Sequence, residues 1–133
     1  MTNIFNWVFT QIATPTRASY PGVFVTGERI PTPARFPCVE VVEADNYEDS
    51  SGVDNTLVER LTNLMYEITV FSNKTSGKRA ECIEILSEID TIMKRMNATR
   101  IARVEGYFDS DATIYMVKAR YRLKTDGTNL YTT

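Results

Sequence analysis

The sequence predicts an α+β fold: an antiparallel or mixed, twisted sheet of about four to five strands packed against one long helix, with a short N-terminal helix and a proline-rich arm. Three patterns predict it. Within residues 75–96, Cys82, Leu86, Ile89, Met93 and Met96 recur at alternating steps of four and three. Ile85 and Ile92 widen that stripe, and Glu81, Glu84, Glu88 and Lys94 take the other side, as expected of a helix lying on a sheet. In residues 113–124, Thr113, Tyr115, Val117, Ala119, Tyr121 and Leu123 alternate with Ile114, Met116, Lys118, Arg120, Arg122 and Lys124, the period-two pattern of a strand. Pro15, Pro21, Pro31, Pro33 and Pro37 all fall in residues 15–37, where missing backbone donors disfavour regular structure.

The elements follow in order along a single domain, residues 1–133. Residues 3–13 read as a short amphipathic helix with Ile4, Trp7, Val8 and Ile12 on one face, capped by Thr2 or Asn3. Thr14-Pro15 ends it, because the residue before proline avoids the helical region. Residues 15–37 then read as an extended arm, with Val23-Phe24-Val25 as a possible edge strand. A connection this long is usually either functional or an arm, and two readings stay open: it packs on a neighbouring subunit, or it folds back on its own domain. Residues 36–43 form a valine-rich strand. Residues 44–56 form a flexible acidic loop with Asp45, Asp49 and Asp54, at the tip of a hairpin. Residues 57–71 make the next strand, with Leu64, Tyr66, Ile68 and Val70 alternating with Met65, Glu67, Thr69 and Phe71. After the long helix, capped by Thr75 or Ser76 and stopped at Asn97, residues 99–107 and 113–124 are strands joined by a turn at 108–112. Lys124-Thr125-Asp126-Gly127 turns into a short polar tail.

Composition bounds the function. The chain has 133 residues, 43% hydrophobic and 24% charged, enough to bury a core without metal or disulfides. A net charge of −2 argues against a dedicated nucleic-acid binder. No apolar run approaches the ~18 residues of a membrane span, and residues 1–9 lack the basic and small-residue marks of a signal peptide. Cys38 and Cys82 read as buried free thiols on a strand and on the helix, with a disulfide as the lesser reading.

The usual signs of catalysis are missing. With no histidine, the commonest general base and any Ser-His-Asp or Cys-His arrangement are excluded. The strand-to-helix turn Phe71-Ser72-Asn73-Lys74-Thr75-Ser76-Gly77-Lys78-Arg79 contains Gly-Lys, but Ser72 stands where a phosphate loop needs glycine, and Arg79 where it needs Ser or Thr. Lys74, Lys78 and Arg79 then form a solvated basic turn able to dock an acidic partner. Asp45, Tyr47 and Asp49 miss the calcium-loop pattern. No cofactor or metal is expected. The final strand places Lys118, Arg120, Arg122 and Lys124 on one side, read first as a sheet surface paired with Glu67 or Glu105 and second as a stripe meeting an acidic subunit or DNA.

Residues 66–131 resemble the tail terminator (tail completion) proteins of long-tailed bacteriophages. The likeness rests on Tyr66-Glu67-Ile68-Thr69-Val70-Phe71-Ser72-Asn73, on the helix with Ile89-Asp90-Thr91-Ile92-Met93, and on Ala119-Arg120-Tyr121-Arg122 followed by Asp126-Gly127 and Leu130-Tyr131. The opening helix and the proline-rich run into Phe36-Pro37 fit too. The resemblance implies a structural virion protein: a homohexameric ring on the head-proximal end of the tail tube. The ring ends tube polymerisation and offers a head-docking surface. Its partners would be copies of itself, the tail tube protein and head or neck connector proteins. DNA would pass through unread, and no catalytic residue is carried over. Candidate interface residues are Pro21, Phe24, Arg29, Pro31, Pro33 and Arg35 of the arm, and Tyr47, Glu48, Asp49 and Asp54 of the loop. Lys74, Lys78 and Arg79 of the turn and Lys118, Arg120, Arg122 and Lys124 of the last strand complete the set. Competing readings are a head-side connector, a small ligand-binding regulatory domain, and an enzyme working with carboxylates alone.

Overall fold

A computed structural model describes residues 4–29, 33, 35–48, 62–108, 111–125 and 130–131. Its elements run α1 (Phe5–Ser19), β1 (Phe24–Thr26), β2 (Cys38–Glu48), β3 (Thr62–Ser72), α2 (Lys78–Arg95), β4 (Thr99–Phe108), β5 (Asp111–Thr125) and β6 (Leu130–Tyr131). The sheet is mixed, in the order β1-β2-β3-β5-β4, with β6 added to the end of β5. Only β1–β2 is parallel; the other described pairs are antiparallel. Both helices pack on one side of this sheet, called here the helix face.

The α2 pattern is realised in full. Cys82, Ile85, Leu86, Ile89, Ile92, Met93 and Met96 are all buried, against Val39, Val41, Leu64, Tyr66, Ile68, Val70, Val117, Ala119, Tyr121 and Leu123 of the helix face. Asn97 ends the helix as expected, at φ +64°. The Ala98 amide donates to Met93 O and the Asn97 amide to Lys94 O, both at 3.0 Å, which is the Schellman pattern. Lys94 and Arg95 sit in the last turn, where the helix dipole favours cations. The start differs from expectation. Neither Thr75 nor Ser76 caps; Gly77 holds the N-cap position at φ +82°, a left-handed conformation that glycine adopts at little cost. The Ser72 hydroxyl instead reaches Glu81 Oε1 at 2.6 Å.

At the other end of the fold the helix runs past Pro15 to Ser19, so there are two helices of comparable length rather than one long and one short. A proline inside a helix typically costs ~3 kcal/mol. Here the missing donor strands only the carbonyl of exposed Gln11, which water can satisfy, while the extra turn lets Arg17 Nη2 donate to Val25 O at 3.3 Å and Ser19 Oγ donate to Glu88 at 2.6 Å. The N-cap position is Ile4, with no side-chain cap; Thr2 and Asn3, the expected caps, lie outside the described residues. Phe5, Val8, Phe9, Ile12 and Ala13 face the core. Trp7, expected there, is 48% exposed, because at about 100° per residue it lies on the other side of Val8 from Phe9, Ile12 and Ala13, away from the middle of the core face.

The described part of the remaining proline-rich segment folds back on its own domain: Phe24–Thr26 form β1, and the Phe24 amide donates to Pro37 O at 2.9 Å. Phe24 and Phe36 pack with Met116 against Cys38, Phe71 and Ile114, a second small cluster on the far face of the sheet. Gly27 passes so close to α1 that a Cβ there would stand 3.0 Å from the Phe5 ring. β2 runs through Glu48 rather than ending at 43, so the first part of the expected acidic loop is strand. A register shift between Glu43 and Asp45 lets it keep pairing with Thr62–Met65. β3 begins at Thr62, and the expected 57–61 start lies outside the described residues. β5 begins at Asp111, inside the expected turn, and the expected tail includes β6. Cys38 and Cys82 are buried free thiols; burial pushes each up to about 12, leaving them unreactive.

Candidate interaction surfaces

The basic stripe of β5 lies on the far face, and the strand register decides what it meets. Glu67 of β3 stands directly opposite Arg120, and Thr69 opposite Lys118. Glu67 is only 3% exposed and receives three cations: Arg29 Nη1 at 3.0 Å, Lys118 Nζ at 3.3 Å and Arg120 Nε at 3.0 Å. Burial pushes its carboxyl up, but hydrogen bonds from Arg120 and Arg29 and the Lys118 charge outweigh that and hold it below its ordinary value. Two of the four stripe cations are thus spent inside the chain, as the first reading of the stripe expected. Arg29 ties the segment after β1 down over the sheet. Arg122 is exposed and makes no ion pair with a described residue, while Lys124 is engaged within the chain.

Glu105, the other acid expected to serve the stripe, sits on the opposite face. Its register partner is Val117, a helix-face residue. It accepts Arg79 Nε at 2.5 Å, Arg103 Nη2 at 3.0 Å and the Tyr115 hydroxyl at 3.0 Å. Those hydrogen bonds lower its carboxyl to about 2. Arg79 is therefore engaged at home, whereas Lys74 is exposed and Lys78 half-buried. A third acid, Asp90 of α2, accepts the Tyr121 hydroxyl at 2.9 Å and Lys94 Nζ at 2.9 Å, with Arg100 at 3.7 Å. Burial raises its carboxyl and these contacts lower it by more.

The remaining sequence-predicted residues scatter. Pro21 is exposed in a turn, Phe24 is half-buried in the far-face cluster, and Pro33 is buried. The Arg35 guanidinium stacks 5.1 Å from the Phe24 ring centre. Tyr47 and Glu48 lie in β2, but their side chains, like Pro31, Asp49 and Asp54, are outside the described residues.

What the sequence reading missed is apolar. Trp7, Ile101, Val104 and Tyr107 are large hydrophobics left exposed, Val104 by 63%. Trp7 borders a groove of about 260 Å³ between the helices with Gln11, Pro15, Ile92, Arg95 and Met96. A second, shallower groove of about 430 Å³ lies between Phe5 and Phe9 of α1 and Val25–Glu28 beside β1. Ile101, Val104 and Tyr107 share β4, the sheet edge away from β1. Their spacing of three was the available signal. It fits neither face of a strand, so they cannot all enter one core.

No group of three or more metal-binding side chains occurs among the described residues, and no helix among them is long and apolar enough to cross a membrane. Comparison with models of protein families and with curated proteins finds no match to this chain.

Proposed function

We propose that the protein is a structural, self-assembling subunit: a tail terminator that forms a ring on the head-proximal end of a phage tail tube, ends its growth and offers a docking surface to the head. The observation that carries the reading is the contrast between satisfied charges and unsatisfied apolar surface. Glu67, Glu105 and Asp90 are each neutralised by cations of the same chain, so none is poised to act on a substrate. Trp7 stays in water at the edge of the groove it forms with Pro15, Ile92 and Met96, and exposed apolar groups mark contact surfaces when they cluster in this way. Ring closure needs a heterologous contact, in which unlike patches of successive copies meet. The groove beside Trp7, in the helix layer, supplies one such patch, distinct from the β4 edge.

The test is electron microscopy of tubes grown from the tail tube protein encoded with this chain. With the protein present, tube ends should carry rings of it and stop growing, and Trp7→Ser should abolish both effects. Uncapped tubes that lengthen at an unchanged rate would overturn the reading. Rings that bind isolated head portals but ignore tubes would move the protein to the connector side of the joint.

A further inference from the structure

The outer edge of β4 faces no other strand among the described residues. β4 runs ten residues along the outside of the sheet. Every described side chain from Arg100 to Glu105 is exposed, and no described element pairs with its outer edge. It contains no proline, and its charges are of both signs, Arg100 and Arg103 with Glu105, so they can pair across an edge as well as blunt it. We propose that this edge pairs antiparallel with the same edge of a second copy, about a twofold axis centred on Val104.

Geometry and charge together choose that register. Side chains alternate along β4. Arg103, Glu105 and Tyr107 share the helix face with Ala119, Val117 and Tyr115, while Ala102, Val104 and Gly106 share the far face with Arg120, Lys118 and Met116. A twofold axis normal to the sheet keeps the helices of both copies on one side, so helix-face residues meet only helix-face residues. Three registers then keep most of the strand paired. Centring on Arg103 sets two guanidiniums directly opposite each other, and centring on Glu105 does the same to two carboxylates; both are unfavourable. Centring on Val104 sets Arg103 against the partner's Glu105 and Glu105 against the partner's Arg103, so the Arg103–Glu105 pair of each chain joins its counterpart in a network of alternating sign. It also buries Val104 against its own copy and places Ala102 beside the partner's Gly106, where no side chain crowds it. The irregularities at Arg100/Ala102, which leaves Ile101 unpaired with β5, and at Tyr107/Phe108 both lie outside this central stretch.

A twofold contact stops at two copies, so it holds the free subunit as a dimer and leaves ring closure to other surfaces. The two readings fail separately: tubes can be capped without this dimer, and this dimer can form in a protein that ignores tubes. The test compares the single variants Arg103→Cys, Val104→Cys and Glu105→Cys of the full chain under mild oxidation, with Cys38 and Cys82 silent because both are buried. Val104→Cys should give a covalent dimer in high yield and the other two should not. Sedimentation of the unmodified chain should show a dimer, and Arg103→Glu should weaken it by roughly tenfold or more. A chain that sediments as a monomer up to ~100 μM, near the weak end of specific affinities, overturns the proposal. So does preferential cross-linking at position 103 or 105.

Discussion

β3 and β4 are neighbours but one in the same sheet, of similar length, and they do opposite work. β3 is buried at every position but Met65, packed by helices on one face and by the far-face cluster and ion pairs on the other. β4 is exposed along almost its whole length. Following one cross-strand row shows the change: Val41, Ile68 and Ala119 are fully buried, and Arg103, the next residue in the row, is exposed. The helix layer ends over β5, so the core ends with it. A central strand is held by what covers it; an edge strand is free to be held by another chain.

The largest expected effect breaks the sheet at its centre. Ile68→Ala removes a fully buried side chain from beneath the helices and should cost about 2–5 kcal/mol of unfolding free energy by urea titration. A loss below about 1 kcal/mol would mean that the helix layer does not rest on β3 as described.

Glu67 sharpens the comparison, because it places a charge in the strand that otherwise buries apolar groups. Glu67→Gln keeps the shape and loses the charge-assisted bonds to Arg29, Lys118 and Arg120, so we expect a loss of about 1–3 kcal/mol. Protease cleavage should rise in the segment that Arg29 tethers. An unchanged stability would show that these cations work as well in water as against Glu67.

Acid should act through the same residue and two others. Glu67, Asp90 and Glu105 all have folded carboxyls below their unfolded values. A depressed carboxyl contributes its full stability above the unfolded value of about 4 and loses it as pH falls toward the folded one. The melting temperature should therefore drop between about pH 4.5 and pH 2, where Glu105 titrates at about 2. With no histidine in the chain, it should stay level from about pH 5.5 to 8. A step inside that neutral window would point to a titrating group that these contacts do not include.

Much of this was readable in the residues, and the reasons differ by element. α2 and β5 were legible because one face of each is buried over a long run, Cys82 to Met96 and Val117 to Leu123, which writes a clear period into the sequence. Asn97 was legible because a left-handed C-terminal residue is a local requirement. The continuation of α1 past Pro15 was not, since the bonds from Arg17 to Val25 and from Ser19 to Glu88 that favour it are tertiary. The Glu67 cluster was half legible: alternation put the cations on one side, but only the register could tell Glu67 from Glu105. The β4 surface was least legible, because an edge strand has no buried face to impose a period, and the sequence reading looked for contacts in charges. Among the charges described, the strongest are consumed within the chain.

The smallest expected effect is the one that separates the two strands most cleanly. Val104→Ser exchanges a methyl-bearing side chain for a hydroxyl on β4, opposite Lys118. At 63% exposed, Val104 has little burial to lose, and its hydroxyl replacement meets water. Measured at nanomolar concentration, where dimerisation cannot add stability through mass action, the folding free energy should stay within about 0.5 kcal/mol of the parent. At high concentration the parent should gain stability with concentration and the variant should gain less, since the serine gives up the apolar contact at the twofold axis. A cost of core size at nanomolar concentration would mean that β4 is covered within the single chain. The contrast between the two strands would then be lost, because β4 would no longer offer an edge to anything else.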